Sequence, residues 1–559
     1  MTDRTGDALL VLTAFAVAVT ARAAPLLWSP LPATLDGFNY AGLARATLET
    51  GSLPWDAGVL AADELGFTTT LATASAVTGV DPLYLAQPLI AFVGAVTVLA
   101  GIALVRELAP STWPTRRVGL AVALVGFGLA LDGLFLRRTG VPDEEAVGLL
   151  LVPLLALAAH RWLDGGRRAW AGVGALLLAF LPPLHNLSSL VGLLTLSGLV
   201  ALHAVRSSGA RLVRAGVLAA LAWVHVFGYF AFVRRFGLVT SYSDLFDPYL
   251  GLFLAWVVLL VVGVVWTRDA TSRGQRAAFL APVGLGVLVV ALNAVVPLFP
   301  GTIATLSPVL IGVGALLVPI ALAAVGLPGV RRGAGPAVLA LFAAPAALSY
   351  YTLTASLTPE FFDAVVRIQS FAHVPVFVLA GAGAAGLVAR AGSPRSRRRL
   401  GAVVAAVFLL SVAVTVPLGY VNLDTGTYPS TTLESEFGAA TFATGRVDGQ
   451  YATDHTLSRV DTHYLSGPAP PDGGFTSRGR ARVDPTRSWL AGGSPPTCPT
   501  LSQHSWTTTG AHLYPAPPGT VSTTEYRSWL LSRNVVYRAS GLDPLTLSVP
   551  RRPSGTGSC

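Results

Sequence analysis

Thirteen apolar stretches punctuate residues 1–419, at about 8–28, 82–105, 118–135, 145–160, 169–183, 187–204, 215–233, 249–267, 277–297, 306–328, 334–352, 370–389 and 400–419. Most approach the roughly 20 residues that a helix needs to cross a bilayer. The pair 169–183 and 187–204 is shorter, and predicts either short helices broken at Pro182 and Pro183 or one re-entrant element. The loop 29–81 predicts two surface helices, about 39–50 and 60–77, separated by Gly51, Ser52 and Pro54; Tyr40, Leu43 and Leu48 give the first an amphipathic pattern. From Asn422 the apolar stretches stop. Strand-like pieces follow at Gln450–Thr453 and Asn534–Tyr537, with a helix over 432–443 and a Gly, Pro, Ser and Thr-rich region, 466–520, that reads largely as loop. The pattern predicts an all-α polytopic membrane protein of about thirteen transmembrane helices over 1–419, carrying the loop 29–81, and a small mixed α/β domain over 420–559. The low apolar content of that domain predicts that it leans on the membrane part or stays partly open.

Composition agrees. The 559 residues are 53% hydrophobic and 12% charged, too little charge to cover a soluble surface of this size. Every basic residue is arginine, and the arginines collect in alternate turns, at 106–117, 161–168, 206–214, 268–276, 331–332 and 390–399. By the positive-inside rule those turns are cytoplasmic, so the N-terminus is cytoplasmic and the C-terminal domain extracytoplasmic. The first apolar run continues past Arg22 to Trp28 without a small-x-small cleavage site and reads as a retained helix. The net charge of +9 is no nucleic-acid signal, because the arginines sit at span ends. Without lysine no P-loop exists, which argues against direct ATP coupling. Cys498 and Cys559 could pair, but they imply no disulfide framework.

This orientation gathers the chemistry-bearing side chains on the outer face. Asp36 follows the first span and could be a catalytic or metal-binding carboxylate, or the N-cap of the helix behind it. Asp56, Asp63 and Glu64 read as solvated charges or caps. In the second external loop Arg137 and Arg138 precede Asp143, Glu144 and Glu145, a set that could hold a metal, a polar substrate or one another. His185 in PPLHNLSS could contact a substrate or cap a helix break, and Asn186-Leu-Ser188 forms a glycosylation sequon. The loop at 236–248 adds Tyr242 and Asp244. Glu360, Asp363, Arg367 and His373 lead into the twelfth span, where the Arg367 guanidinium suits bidentate contact with a lipid phosphate or simple snorkelling to headgroups. Asp448, Asp454, His455, Asp461 and His463 fit no closed zinc spacing and read as solvated loop positions.

In layout, and in the short stretches TLDGFNYAGLARATLETGSLP, VPDEE, LHNLSS, ESEFGAATFATGRVDGQYATDHTLSRV (434–460) and NVVYRASGLDPLTL (534–547), the chain resembles the GT-C superfamily of membrane glycosyltransferases, particularly its archaeal members. The resemblance implies an external reaction in which a sugar moves from a polyprenyl- or dolichyl-phosphate carrier to a protein or glycan acceptor, with membrane lipids as surroundings. It implies Asp36 as general base or metal-coordinating acid, Asp143 or Glu144 as second acid, Arg367 and Arg138 as donor-phosphate contacts, and Tyr40, His185 and His373 as substrate contacts. A monophosphate donor needs no metal; a pyrophosphate donor would call for Mg2+ or Mn2+. The chain departs from the metal-dependent oligosaccharyl type, since Gly37 and Phe38 follow Asp36 and no WWD-type motif occurs, which points towards monosaccharide transfer. Two other classes stay open on the residues alone: a transporter or flippase for a lipid-linked sugar or polar solute, and a non-catalytic scaffold.

Overall fold

The computed structural model describes residues 2–55, 60–238, 246–299, 305, 307–420, 431–466, 479–514, 516, 518–551 and 559; Asp56, Tyr242 and Asp244 lie outside the described residues. Among these, eleven helices are long and apolar enough to cross a membrane, or twelve if a bent pair counts as one span, and Arg168–Leu184 is a shorter apolar helix. The chain is a multi-pass membrane protein. A lipid-embedded backbone must satisfy its own N–H and C=O groups, which is why every apolar stretch forms a helix.

The chain divides into two compact units, one of residues 1–22, 91–140 and 144–419, the other of 23–90, 141–143 and 420–559. In the first unit, glycines let helix backbones touch where apolar bulk alone gives no preference for helix over lipid. A Cβ on Gly383 would meet Gly326 N at 2.7 Å and overlap the Leu322 carbonyl, so the helices Ser307–Gly326 and His373–Ala389 pack backbone to backbone. Helices Thr115–Leu131 and Gly133–Thr139 meet at a 64° bend. Asp132 makes the break: its backbone is extended and its Oδ1 accepts from Leu134 N at 3.3 Å, capping the second piece.

The stretch 169–204 forms two helices, Arg168–Leu184 and Asn186–Ala204, and the break falls at His185 rather than at Pro182 and Pro183, which stay helical. Leu181 packs against the Gly192 position, so the chain folds back there. Asn186 is 1% exposed, leaving the sequon inaccessible.

In the second unit, the first loop and the C-terminal portion share one core. Leu31, Phe38, Ala41 and Leu83 pack with Ala439, Ala440, Tyr451, Leu457, Leu501 and Leu547. A five-stranded mixed sheet is built from β1 (Tyr451–Ala452), β2 (Ala481–Arg482), β3 (Thr500–Gln503), β4 (Arg533–Ala539) and β5 (Leu545–Pro550) in the order β2-β1-β3-β5-β4. β1 pairs in parallel with β2 and β3, and β5 antiparallel with β3 and β4. Two of these strands and the helix Asp484–Leu490 fall within the region that its composition assigns to loop. A second core of Trp489, Trp506, Leu513, Tyr526 and Trp529 lies in this portion.

The helix expected at 39–50 runs Leu35–Thr50, and it is a core element rather than a surface one: residues 37–44 are buried. Its partner is Leu65–Thr78. Asp454 and Asp461, expected in solvent, are buried. Asp454 caps the helix His455–Val460, and Asp461 accepts from Thr444 at 2.8 Å, Ser466 at 2.9 Å and Ala481 N at 2.9 Å.

Cys498 and Cys559 form a disulfide across a separation of 61 residues. Closing a loop of that length restricts the unfolded chain, so Cys498→Ser is expected to lower the stability of the second unit by about 2–4 kcal/mol. Denaturant unfolding followed by the fluorescence of Trp489, Trp506 and Trp529 measures this.

Candidate functional site

In the second unit the chain enters the helix Leu35–Thr50 through Thr34. Its backbone is extended, and its Oγ1 accepts from Gly37 N at 3.3 Å while donating to Pro142 O at 3.3 Å. Thr34, not Asp36, is therefore the N-cap, and Asp36 occupies the first turn with its side chain in solvent. Free N–H groups at a helix N-terminus favour a negative charge there. The Thr34–Pro142 bond also fixes the segment 141–143 beside this helix start, and Gly37 permits the approach, because a Cβ on it would meet Pro142 Cβ at 3.2 Å. Asp36 and Asp143 thus belong to one anchored region. Asp143 is 7% exposed.

Behind Asp36 stands a polar relay that the sequence does not reveal. Asn39 Nδ2 donates to Glu64 Oε1 at 3.0 Å, Ala61 N donates to Glu64 Oε2 at 2.8 Å, and His463 Nδ1 donates to Asn39 Oδ1 at 3.0 Å. Burial pushes the Glu64 carboxyl up to about 7, the Ala61 N–H opposes this, and the charges of Asp63 and Asp36 add to it. Asp63, expected in solvent, is 4% exposed. Burial holds His463 down to about 3, so it is neutral near pH 7. A methyl on Gly42 would overlap the His463 carbonyl, and Arg45 donates to Tyr464 O while its guanidinium lies 4.1 Å from the Tyr464 ring centre. Tyr40 is a core residue, 3% exposed and edge-on to Phe67.

In the first unit a second set of charges surrounds the start of the helix Glu144–Gly165. Arg138 Nη1 lies 3.7 Å from Glu145 Oε2, and His185 Nε2 lies 3.9 Å from Glu144 Oε1. His185 Nδ1 accepts from Ser188 N at 3.3 Å, capping Asn186–Ala204, which assigns the ring proton to Nε2 and aims it at Glu144. Gly148 makes room, since a side chain there would displace the Ser188 hydroxyl. His373 Nδ1 bonds to Asp132 Oδ2, and its ring stacks on Phe135. Thr415 Oγ1 reaches Asp132 Oδ1 at 3.4 Å and accepts from Gly133 N at 2.8 Å. Arg22 is fully buried, donating to Thr139 Oγ1 at 3.0 Å, Ala18 O at 3.2 Å and Leu129 O at 3.3 Å. Arg367 ends the short helix Pro359–Ile368 with its Nε 3.2 Å from Asp363 Oδ2.

The structure brings together Arg138, Glu144, Glu145 and His185 in one unit; in the other, Asp36 and Asp143 flank the bond between Thr34 and Pro142, two residues and one residue from it in the chain. His373 joins Asp132, and Arg367 joins Asp363. Asp36 and Asp143 offer the hard oxygen donors that Mg2+ or Mn2+ takes. Among the described residues no group of three or more His, Cys, Asp or Glu side chains could hold a metal ion. Two carboxylates match only a site whose shell a substrate phosphate completes.

The chain thus combines a polytopic helical part with a small mixed-sheet portion. The fold is similar to that of the archaeal oligosaccharyltransferase AglB from Archaeoglobus fulgidus, solved in complex with an inhibitory peptide and a dolichol-phosphate (TM-score 0.50, 13% identity, 83% of this chain and 64% of that chain covered). The chain thus spans just under two thirds of AglB. ArnT from Cupriavidus metallidurans bound to undecaprenyl phosphate matches over 97% of both chains at 11% identity, with a TM-score of 0.38. No protein-family model matches the chain, and no curated protein matches it.

Glu64 supplies a pH test. Its unfolded value is 4.5 and its folded value about 7, so the folded state holds a proton that the unfolded state releases. Stability from this group is full below pH 4.5 and is lost as pH rises towards 7. Relative to wild type, Glu64→Gln is expected to gain stability across that interval and to run parallel above it, as thermal unfolding at a series of pH values would show.

Proposed function

We propose that the chain is a membrane glycosyltransferase of GT-C type, moving a sugar from a polyprenyl- or dolichyl-phosphate donor to a protein or glycan acceptor on the external face. The observation that carries this reading is Asp36: an exposed acidic residue on the first turn of a helix whose following residues, 37–44, are buried, with the Asp143 segment pinned beside it. A general base is effective when its backbone is fixed and only its carboxylate meets the acceptor.

In this reading Asp36 takes the proton from the acceptor hydroxyl or amide. The acceptor atom forms the new bond to the sugar's anomeric carbon as the bond from that carbon to the phosphate oxygen breaks, and the lipid phosphate leaves with the electron pair. Arg138 and Arg367, which lie beside Glu145 and Asp363, are the cations proposed to stabilise the departing phosphate. Asp143 and Glu144 orient the acceptor, and His185 and His373 contact the substrate, with Nε2–H of His185 aimed at Glu144. A divalent cation bound by Asp36 and Asp143 would add charge neutralisation at the phosphate.

The test is transfer of radiolabelled sugar from a panel of polyprenyl- and dolichyl-phosphate donors by the purified protein in liposomes. Wild type is expected to label an acceptor from at least one donor, and Asp36→Asn to lose roughly 100-fold or more of the rate with its fold intact. Full activity in that variant removes Asp36 from the reaction. Arg367→Ala is expected to raise the KM for the lipid donor while leaving that for the acceptor unchanged; equal effects on both would reject the phosphate contact.

A further inference from the structure

Away from these charges, a cavity of about 300 Å³ opens in the first unit between the helices Leu250–Asp269, Ser272–Val295 and Gly335–Ala355. Trp256, Trp266, Phe279, Pro282, Phe342 and Tyr350 form its walls, and Gly263, Ala343 and Ala346 create the space. Two of its polar wall groups are engaged within the protein: Trp256 Nε1 donates to Thr354 Oγ1 at 3.0 Å, and the Tyr350 hydroxyl donates to Pro282 O. The cavity thus offers hydrocarbon contact and little to a polar solute. From Trp256 to Thr267 the lining runs along twelve residues of one helix, eleven rises or about 16 Å, which is about half the ~30 Å hydrocarbon thickness of a bilayer. That length accommodates one tail from one leaflet.

The two ends differ in charge. At one end, Arg268 directly follows the lining residue Thr267, Arg276 precedes the lining residue Phe279 by three positions, and Arg331 follows the lining residue Leu327 by four. Their side chains are fixed there: Arg268 Nη1 donates to Leu202 O at 2.9 Å, Arg276 Nε to Ala324 O at 3.3 Å, and Arg331 to the carbonyls of Arg268, Asp269 and Ala270. Asp269, the acid at this end, is paired with Arg206. Arg273 and Arg332 add further positive charge nearby in the chain.

We propose that this cavity is a binding site for an anionic phospholipid, one tail lying along Trp256 to Thr267 and the phosphate meeting Arg268 and Arg276 at the basic end. Clustered arginines beside a groove between membrane helices select anionic over zwitterionic headgroups, whereas the apolar wall alone would accept any tail. Trp266 is 56% exposed and reports directly on what fills the cavity.

The experiment uses the full-length protein in phosphatidylcholine vesicles with a low, equal mole fraction of either brominated-tail phosphatidylglycerol or brominated-tail phosphatidylcholine, reading tryptophan quenching. The phosphatidylglycerol form is expected to quench at roughly fivefold lower mole fraction for each arginine that meets the headgroup. That excess should vanish in Arg268→Gln/Arg276→Gln, and in Trp256→Phe/Trp266→Phe, which removes the reporters. Unbrominated phosphatidylglycerol should reverse it in wild type, so the result does not depend on the variants folding. Equal quenching by the two lipids overturns the proposal, as does an excess that survives loss of Trp256 and Trp266.

Discussion

The second unit depends on one buried junction, where Asn39 joins Glu64 on one side and His463, 424 positions away in sequence, on the other. A buried amide left without either partner would cost about 1–3 kcal/mol, so the helix Leu35–Thr50 has one register in which its polar and apolar groups are all satisfied. Phe38 stacks on Phe437 and meets Tyr464 edge-on, and Gly42 lets the His463 backbone close on the helix. The segment 461–465 that makes these contacts is a π-helical turn, a geometry frequent at functional sites because it reaims side chains. Asp36 inherits its position from this packing.

A different constraint governs the first unit. Charges within membrane helices are costly unless they are paired, and the partners of three of them are clear. Asp132 bends one helix, caps the next and holds His373; Arg22 satisfies carbonyls at a helix end and the Thr139 hydroxyl; Glu145 faces Arg138. These groups serve the fold first. The same pairing that makes them tolerable also leaves Glu144 and His185 in a fixed mutual orientation at a helix start, where a polar substrate could be gripped.

The apolar stretches were legible because lipid imposes a single rule, that the backbone satisfy itself within each segment, and composition reports it directly. The soluble portion was less so. β1 falls within the strand-like piece Gln450–Thr453, but β2 is only two residues long and pairs with it from thirty positions away, so no alternation marks it. For Asp36 the sequence leaves a functional acid and an N-cap as alternatives, and the structure removes the cap by giving that role to Thr34, a capping residue type two positions earlier. Glu64 and Asp63 read as solvated charges or caps; Glu64 does stand at the N-cap position of Leu65–Thr78, but nothing local marks the burial that distant segments create. Asp132 and Arg22 did carry a signal, each being a lone charge inside an apolar run, and intramembrane charge is the cue that would have found them.

Through Asn39 and His463, the C-terminal portion holds the helix bearing Asp36. Hydrogen exchange of the amides of residues 37–46 in the intact, membrane-reconstituted protein addresses it directly, comparing wild type with His463→Ala. Strong protection in wild type and markedly faster exchange in the variant is the predicted result, because the Asn39 anchor is lost from that helix alone. Equal protection in both would mean that the helix is held without the C-terminal portion, and that the position of Asp36 has another cause.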